Sequence, residues 1–165
     1  MTEPRPTRIW EGNPGGTPGR YALVAAKFNA AIVEKLVAGA VEVLKGHNVQ
    51  EVEIAWVPGA LEIPLVAQRF AASGRFDAVI ALGTVIRGDT THYDVVAENS
   101  AAGCAQASME TGVPILNAIL TVENIEQALA RAGGSLGNKG GDSALAALEM
   151  VDLLARLSSP SKDDA

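Results

Sequence analysis

From Tyr21 onward, strand-length apolar runs alternate with longer segments in which apolar residues recur every three to four positions. The strand-like runs are YALVAA (21–26), VEIAWV (52–57), FDAVIALGTVI (76–86) and VPILNAIL (113–120). After the first, Ile32, Val33, Leu36, Val37, Ala40, Val41 and Leu44 form the stripe of an amphipathic helix. Asn29 is a candidate cap for that helix and Gly46 fits its C-terminal stop. Pro58-Gly59 breaks the second strand, and Leu61–Ala72 predicts a helix with Pro64 tolerable only near its first turn. A third helix is expected over Tyr93–Thr111. A short one is expected over Glu123–Arg131, closed by Gly133-Gly134, and a last one over residues 141–157 with Asp142 as its cap.

Alternation of this kind implies an α/β fold: a four-stranded parallel sheet between two helical layers, a three-layer α/β/α sandwich. The run 76–86 is apolar almost throughout, as a strand covered on both faces must be. Residues 1–19, with EGNPGGTPG at 11–19, read as an arm, and residues 20–157 as a single domain. Residues 158–165 read as a disordered, solvated tail. Within the arm only Arg8–Trp10 looks strand-like. Such a short strand can add to a neighbouring subunit's sheet edge, or the arm can be a plain disordered tail.

In open parallel sheets, ligands bind beyond the carboxyl ends of the strands. The search therefore narrows to Lys27–Asn29, Pro58–Glu62, Arg87–His92 and the stretch after Leu120, with Asn117 near the same end. The loop RGDTTH (87–92) leads into a helix, whose first N–H groups can hold an anion. Gly88 permits close approach, and Thr90 and Thr91 add hydroxyls. Ordinary capping by Asp89 or Thr90 explains the same residues. His92 sits where a general acid or base can reach a ligand, while His47 reads as surface loop. Arg131 can clamp a phosphate or simply favour the negative end of its helix. Lys139, in GNKG (137–140), can face an anion or remain solvated. Phe28, one of only three phenylalanines, can stack on a flat heterocycle or pack in the core. Glu62 can bond a ligand hydroxyl or favour a helix N-terminus.

Composition removes several classes of function. The chain has 165 residues, enough for one domain with a real core, and 48% of them are hydrophobic. A net charge of −6 argues against binding to nucleic acid or to anionic membrane. No apolar run reaches membrane-helix length, and no apolar leader segment opens the chain, so a cytoplasmic location is expected. The single cysteine, Cys104, excludes an internal disulfide and a cysteine-cluster metal site. The two histidines are not in i,i+4 spacing, so a zinc site is not expected. No GxGxxG, GxxxxGK[ST] or GxSxG occurs, so dinucleotide, P-loop and hydrolase-elbow chemistries lose support.

Five motifs occur in order: KFN after the first strand, VPGALEIP, ALGTVIRGDTTHYD, TVENIEQALARAG and GNKG. Together they resemble the 6,7-dimethyl-8-ribityllumazine synthase family over roughly residues 20–157. The resemblance implies a flavodoxin-like fold and a condensation of 5-amino-6-(D-ribitylamino)uracil with 3,4-dihydroxy-2-butanone 4-phosphate. The product is the lumazine, at the penultimate step of riboflavin biosynthesis, with phosphate and water released and no cofactor or metal required. By that resemblance Phe28 stacks on the pyrimidine, and Ala60, Leu61 and Glu62 hold the ribityl chain. Thr84, Val85 and Ile86 offer backbone groups to the ring. Asp89, Thr90, Arg131 and Lys139 serve the phosphate, and His92 transfers protons. Asn117 falls at a ring-contacting position of an adjacent subunit where some members carry phenylalanine, which puts stacking there in doubt. Lys27 stands where many members have arginine. The family also implies a homo-pentamer with sites between subunits, and the short linker between the last two helices is like that of members forming a 60-subunit shell. Riboflavin synthase is a further partner that the resemblance allows. Rival readings are a flavin or lumazine carrier on the same scaffold, riboflavin synthase activity, or a purely structural shell.

Overall fold

The structure, a computed structural model, describes residues 5–160. Strands β1 (Tyr21–Ala26), β2 (Val52–Val57), β3 (Ala78–Ile86) and β4 (Ile115–Val122) form one sheet in the order β2-β1-β3-β4. All three pairings are parallel. Helices α1 (Ala30–Gly46), α2 (Ile63–Ala72), α3 (His92–Thr111), α4 (Ile125–Arg131) and α5 (Lys139–Ser158) complete the α/β/α layers. The flavodoxin-like expectation therefore holds.

The central strands decide the layering. β1 is buried along its whole length and β3 nearly so. Alternate residues of β3 serve opposite cores, as a pleated strand dictates. Ala78, Ile80 and Leu82 pack with Leu36, Leu44, Ala144 and Leu148 of α1 and α5. Val79, Ala81 and Val85 pack with Ile63, Ala67, Cys104 and Ala107 of α2 and α3. At the crossing of α1 and α5 the backbones touch. A Cβ on Gly140 would overlap the carbonyl oxygen of Leu36, so only glycine fits there.

Several local expectations shift. Asn29 precedes α1 in the left-handed region (φ 59°) but makes no side-chain cap. Gly46 is the last helical residue, and the left-handed turn falls on Asn48 (φ 65°). β3 starts at Ala78 rather than at 76, and β4 runs two residues later than the apolar run. Pro114 has no N–H to give the ladder. Its carbonyl accepts from Val79, and the pairing extends instead to Thr121 and Val122. The cap of α5 is Asn138, not Asp142. Its Oδ1 accepts from the Gly141 N–H at 3.1 Å, and its Nδ2 donates to the Lys35 carbonyl at 2.9 Å. Gly133-Gly134 does not merely end α4. It belongs to a small hairpin, β5 (Ala132–Gly134) with β6 (Gly137–Asn138).

Part of the arm is tied down. Asp152 of α5 is 3% exposed and accepts from the Asn13 N–H at 2.8 Å and the Thr17 hydroxyl at 2.7 Å. Arg156 donates to the Glu11 carbonyl at 2.7 Å, and Gly12 lies flush on the Glu149 backbone. Arg8–Trp10 forms no strand within this chain. The end of the expected tail, residues 161–165, lies outside the described residues. No helix among those described is long and apolar enough to cross a membrane.

Candidate active site

A cleft of about 480 Å³ opens at the carboxyl ends of β1 and β3. The turn after β2 and the first turn of α3 wall it. Phe28, Ala60, Leu61, Glu62, Thr84, Val85, Ile86, Thr90 and His92 all line it.

The backbone explains why the end of β3 faces a ligand space. The β1–β3 ladder stops at Ala25 opposite Leu82, yet β3 continues to Ile86 with only β4 beside it. Among the described residues, 83–86 therefore have one edge without a strand partner. Within a strand, one residue's N–H and C=O point to the same side, and successive residues alternate. Val79 and Arg87 donate toward β4, so Val85 points its backbone that way too. Thr84 and Ile86 point theirs toward the open edge. Asn29 Nδ2 donates to the Thr84 carbonyl at 2.9 Å, consistent with this alternation. Val85 thus contributes its side chain to the cleft, not its N–H or C=O. The Thr84 hydroxyl is buried without a hydrogen-bond partner among the described residues.

Phe28 is 73% exposed, which removes the core-packing explanation. The Phe28 N–H donates to the Pro58 carbonyl at 3.2 Å, and that bond holds the ring at the rim. After β2, residues Ala60–Glu62 form one turn of 3₁₀ helix, with Ala60 buried, Leu61 exposed and the Glu62 carboxylate folded over Gly59. His92 opens α3 and is exposed to the cleft. Its N–H donates to the Thr90 hydroxyl at 3.3 Å, so Thr90 does serve the helix start. No group of three or more His, Cys, Asp or Glu among the described residues is placed to hold a metal ion.

The model of the 6,7-dimethyl-8-ribityllumazine synthase family matches residues 18–155. The chain belongs to that family. Its activity at that level is lumazine synthesis, a transferase-type step of riboflavin biosynthesis.

Four expected residues stay outside this family member's cleft. Asp89 is exposed in the loop beside it. Asn117 is exposed on the edge strand β4 and turns its Oδ1 to the Ile119 N–H at 2.9 Å. Arg131, the last residue of α4, donates to the Gln127 carbonyl at 3.0 Å. Lys139, the first residue of α5, pairs with Asp142 at 3.2 Å. Conversely, Ala26, Tyr93 and Val96 line the cleft from outside the loops expected there, and Asn29 lines it from within the Lys27–Asn29 loop. Tyr93 and Val96 lie three residues apart on one face of a helix, the available sequence signal for them. The bond from Asn29 to the Thr84 carbonyl had no such signal, because the two residues are distant in sequence.

Proposed function

We propose that the chain condenses 5-amino-6-(D-ribitylamino)uracil with 3,4-dihydroxy-2-butanone 4-phosphate to 6,7-dimethyl-8-ribityllumazine. The convergence of Phe28, Glu62, the open edge of β3 and His92 in one cleft of a lumazine synthase family chain carries this reading. Phe28 stacks on the pyrimidine, and backbone groups of Thr84 and Ile86 pair with its polar edge. Ala60, Leu61 and Glu62 hold the ribityl chain. The 5-amino group attacks the ketone and water leaves as the imine forms. Elimination of phosphate then leaves an enol, which tautomerises to a ketone, and the ribitylamino nitrogen closes the ring on that new carbonyl carbon with loss of a second water. His92 moves protons in these steps. Thr90, Asp89 and the start of α3 receive the phosphate. Much of the acceleration comes from holding two substrates in one orientation.

Asn117, Arg131 and Lys139 complete the site of a neighbouring subunit, in a pentamer and in a shell of twelve pentamers. Their positions outside this chain's own cleft support that arrangement. Arg8–Trp10 adds to a neighbour's sheet edge. Native mass measurement tests the assembly, and a monomer with full activity would refute shared sites.

The deciding experiment mixes both substrates with the protein and follows the fluorescent lumazine against an enzyme-free control. His92→Ala is expected to slow turnover by about 10²–10⁴-fold, the range for acid–base catalysis. Binding of the pyrimidine without turnover in the native protein would favour a carrier instead.

A further inference from the structure

Arg87 belongs to the RGDTTH loop but does not line the cleft. Its backbone N–H donates to the Val122 carbonyl at 2.9 Å, which fixes it at the paired ends of β3 and β4. Its Nε donates to Glu123 at 2.9 Å, and a terminal nitrogen lies 3.4 Å from an Asp94 carboxylate oxygen. Its guanidinium stands over the Tyr93 ring, 4.2 Å from the centroid. Tyr93 lines the cleft next to His92. One side chain thus joins the first turn of α3 to the end of β4.

A lysine cannot reproduce this arrangement. The planar fork serves two carboxylates while its face covers an aromatic ring. The loop 87–91 crosses from the sheet to α3, and Gly88 within it has open space around its Cα. Within that loop the Thr90 hydroxyl and the Thr91 carbonyl also hold the helix start, accepting from the His92 and Asp94 N–H groups, but Arg87 alone in the loop ties that turn across to the end of β4. We propose that Arg87 is a positioning residue: it fixes the first turn of α3 so that His92 and Tyr93 face the cleft. The inference rests on the proposed function for its catalytic consequence, and on geometry alone for its structural one.

The test compares full-length native protein with Arg87→Gln and Arg87→Lys. Turnover is normalised to pyrimidine sites counted by direct binding, so a partly unfolded sample does not mimic the effect. Arg87→Gln is expected to lower turnover per occupied site by about 10- to 100-fold, the scale of a misplaced reacting group. The KM for the pyrimidine stays within about twofold, since Phe28, Glu62 and the β3 edge are untouched. Arg87→Lys recovers only part of the turnover. Amide hydrogen exchange speeds up in residues 88–96 and stays at native rates in β1 and α1. Native turnover and native exchange in Arg87→Gln would overturn the proposal. So would faster exchange throughout the chain, or a loss confined to the KM of the phosphorylated substrate. If the native protein makes no lumazine, the proposed function fails, while the exchange pattern still decides whether Arg87 holds the turn.

Discussion

Replacing Asp152 by asparagine preserves its shape and removes its charge. The native carboxylate, 3% exposed, accepts from the Asn13 N–H and the Thr17 hydroxyl, with Arg156 3.4 Å away. An asparagine keeps one acceptor oxygen for the Asn13 N–H and turns its amide N–H to the Thr17 hydroxyl, which must then accept, so both bonds lose the charge that strengthened them. A hydrogen bond to a charged group contributes about 1.5–3 kcal/mol, and that is the expected loss at neutral pH. For a chain of this length it amounts to a Tm lowered by roughly 4–10 °C. The loss has a ceiling, because a released arm returns its donors to water. Burial pushes the Asp152 pKa up, but the bonds from Asn13, Thr17 and Arg156 outweigh it and hold it below the ordinary 3.8. A depressed carboxylate pKa stabilises the fold above the unfolded value and ceases to do so as pH falls through the folded one. The gap between native protein and Asp152→Asn should therefore be full at pH 7 and narrow below about pH 4. Thermal unfolding at both pH values measures it. Cleavage after Glu11 by a glutamate-specific protease reports release of the arm. An unchanged Tm at pH 7 with Glu11 still protected, or a gap undiminished in acid, would refute the reasoning.

Phe28→Ala should leave stability within about 0.5 kcal/mol, because the ring is exposed. It should weaken pyrimidine binding about tenfold in a calorimetric titration, through lost stacking and contact area. Arg131→Ala should raise the KM for the phosphorylated substrate at least tenfold and leave the pyrimidine KM near native, as steady-state kinetics would show. Gly140→Ala should destabilise by about 1–3 kcal/mol or more in urea unfolding, since α1 and α5 must move apart.

The sequence made legible what depends on periodicity and local chemistry. β1 and β2 occupy the expected residues, and α1, α2 and α3 fall close to theirs. The cleft residues 60–62 follow from the rule that ligands meet strand ends, and 84–86 from the family resemblance. What stayed hidden depends on distant partners. The glycines and prolines at 11–19 suggest a linker, because the carboxylate that fastens them lies on the last helix. Asn29 looks like a cap until the Thr84 carbonyl is seen beside it. β4 is offset because hydrophobicity does not show where pairing ends. Arg131 and Lys139 lie in family motifs and Asn117 at a family position, yet a single chain does not bring them to its own cleft.

The overhang of β3 past β1 has a consequence for how this site can change over generations. In the proposed complex the heterocycle takes the place of a missing strand, reading peptide groups that every amino acid carries. Substituting Thr84 or Ile86 alters the side chain and leaves the peptide donors and acceptors in place. Base recognition is therefore buffered against most single-codon changes at those positions. A new ring preference would come more readily from changing strand length, from Asn29, or from a proline that deletes a donor. Drift can reshape the rim of the cleft while the reading edge persists.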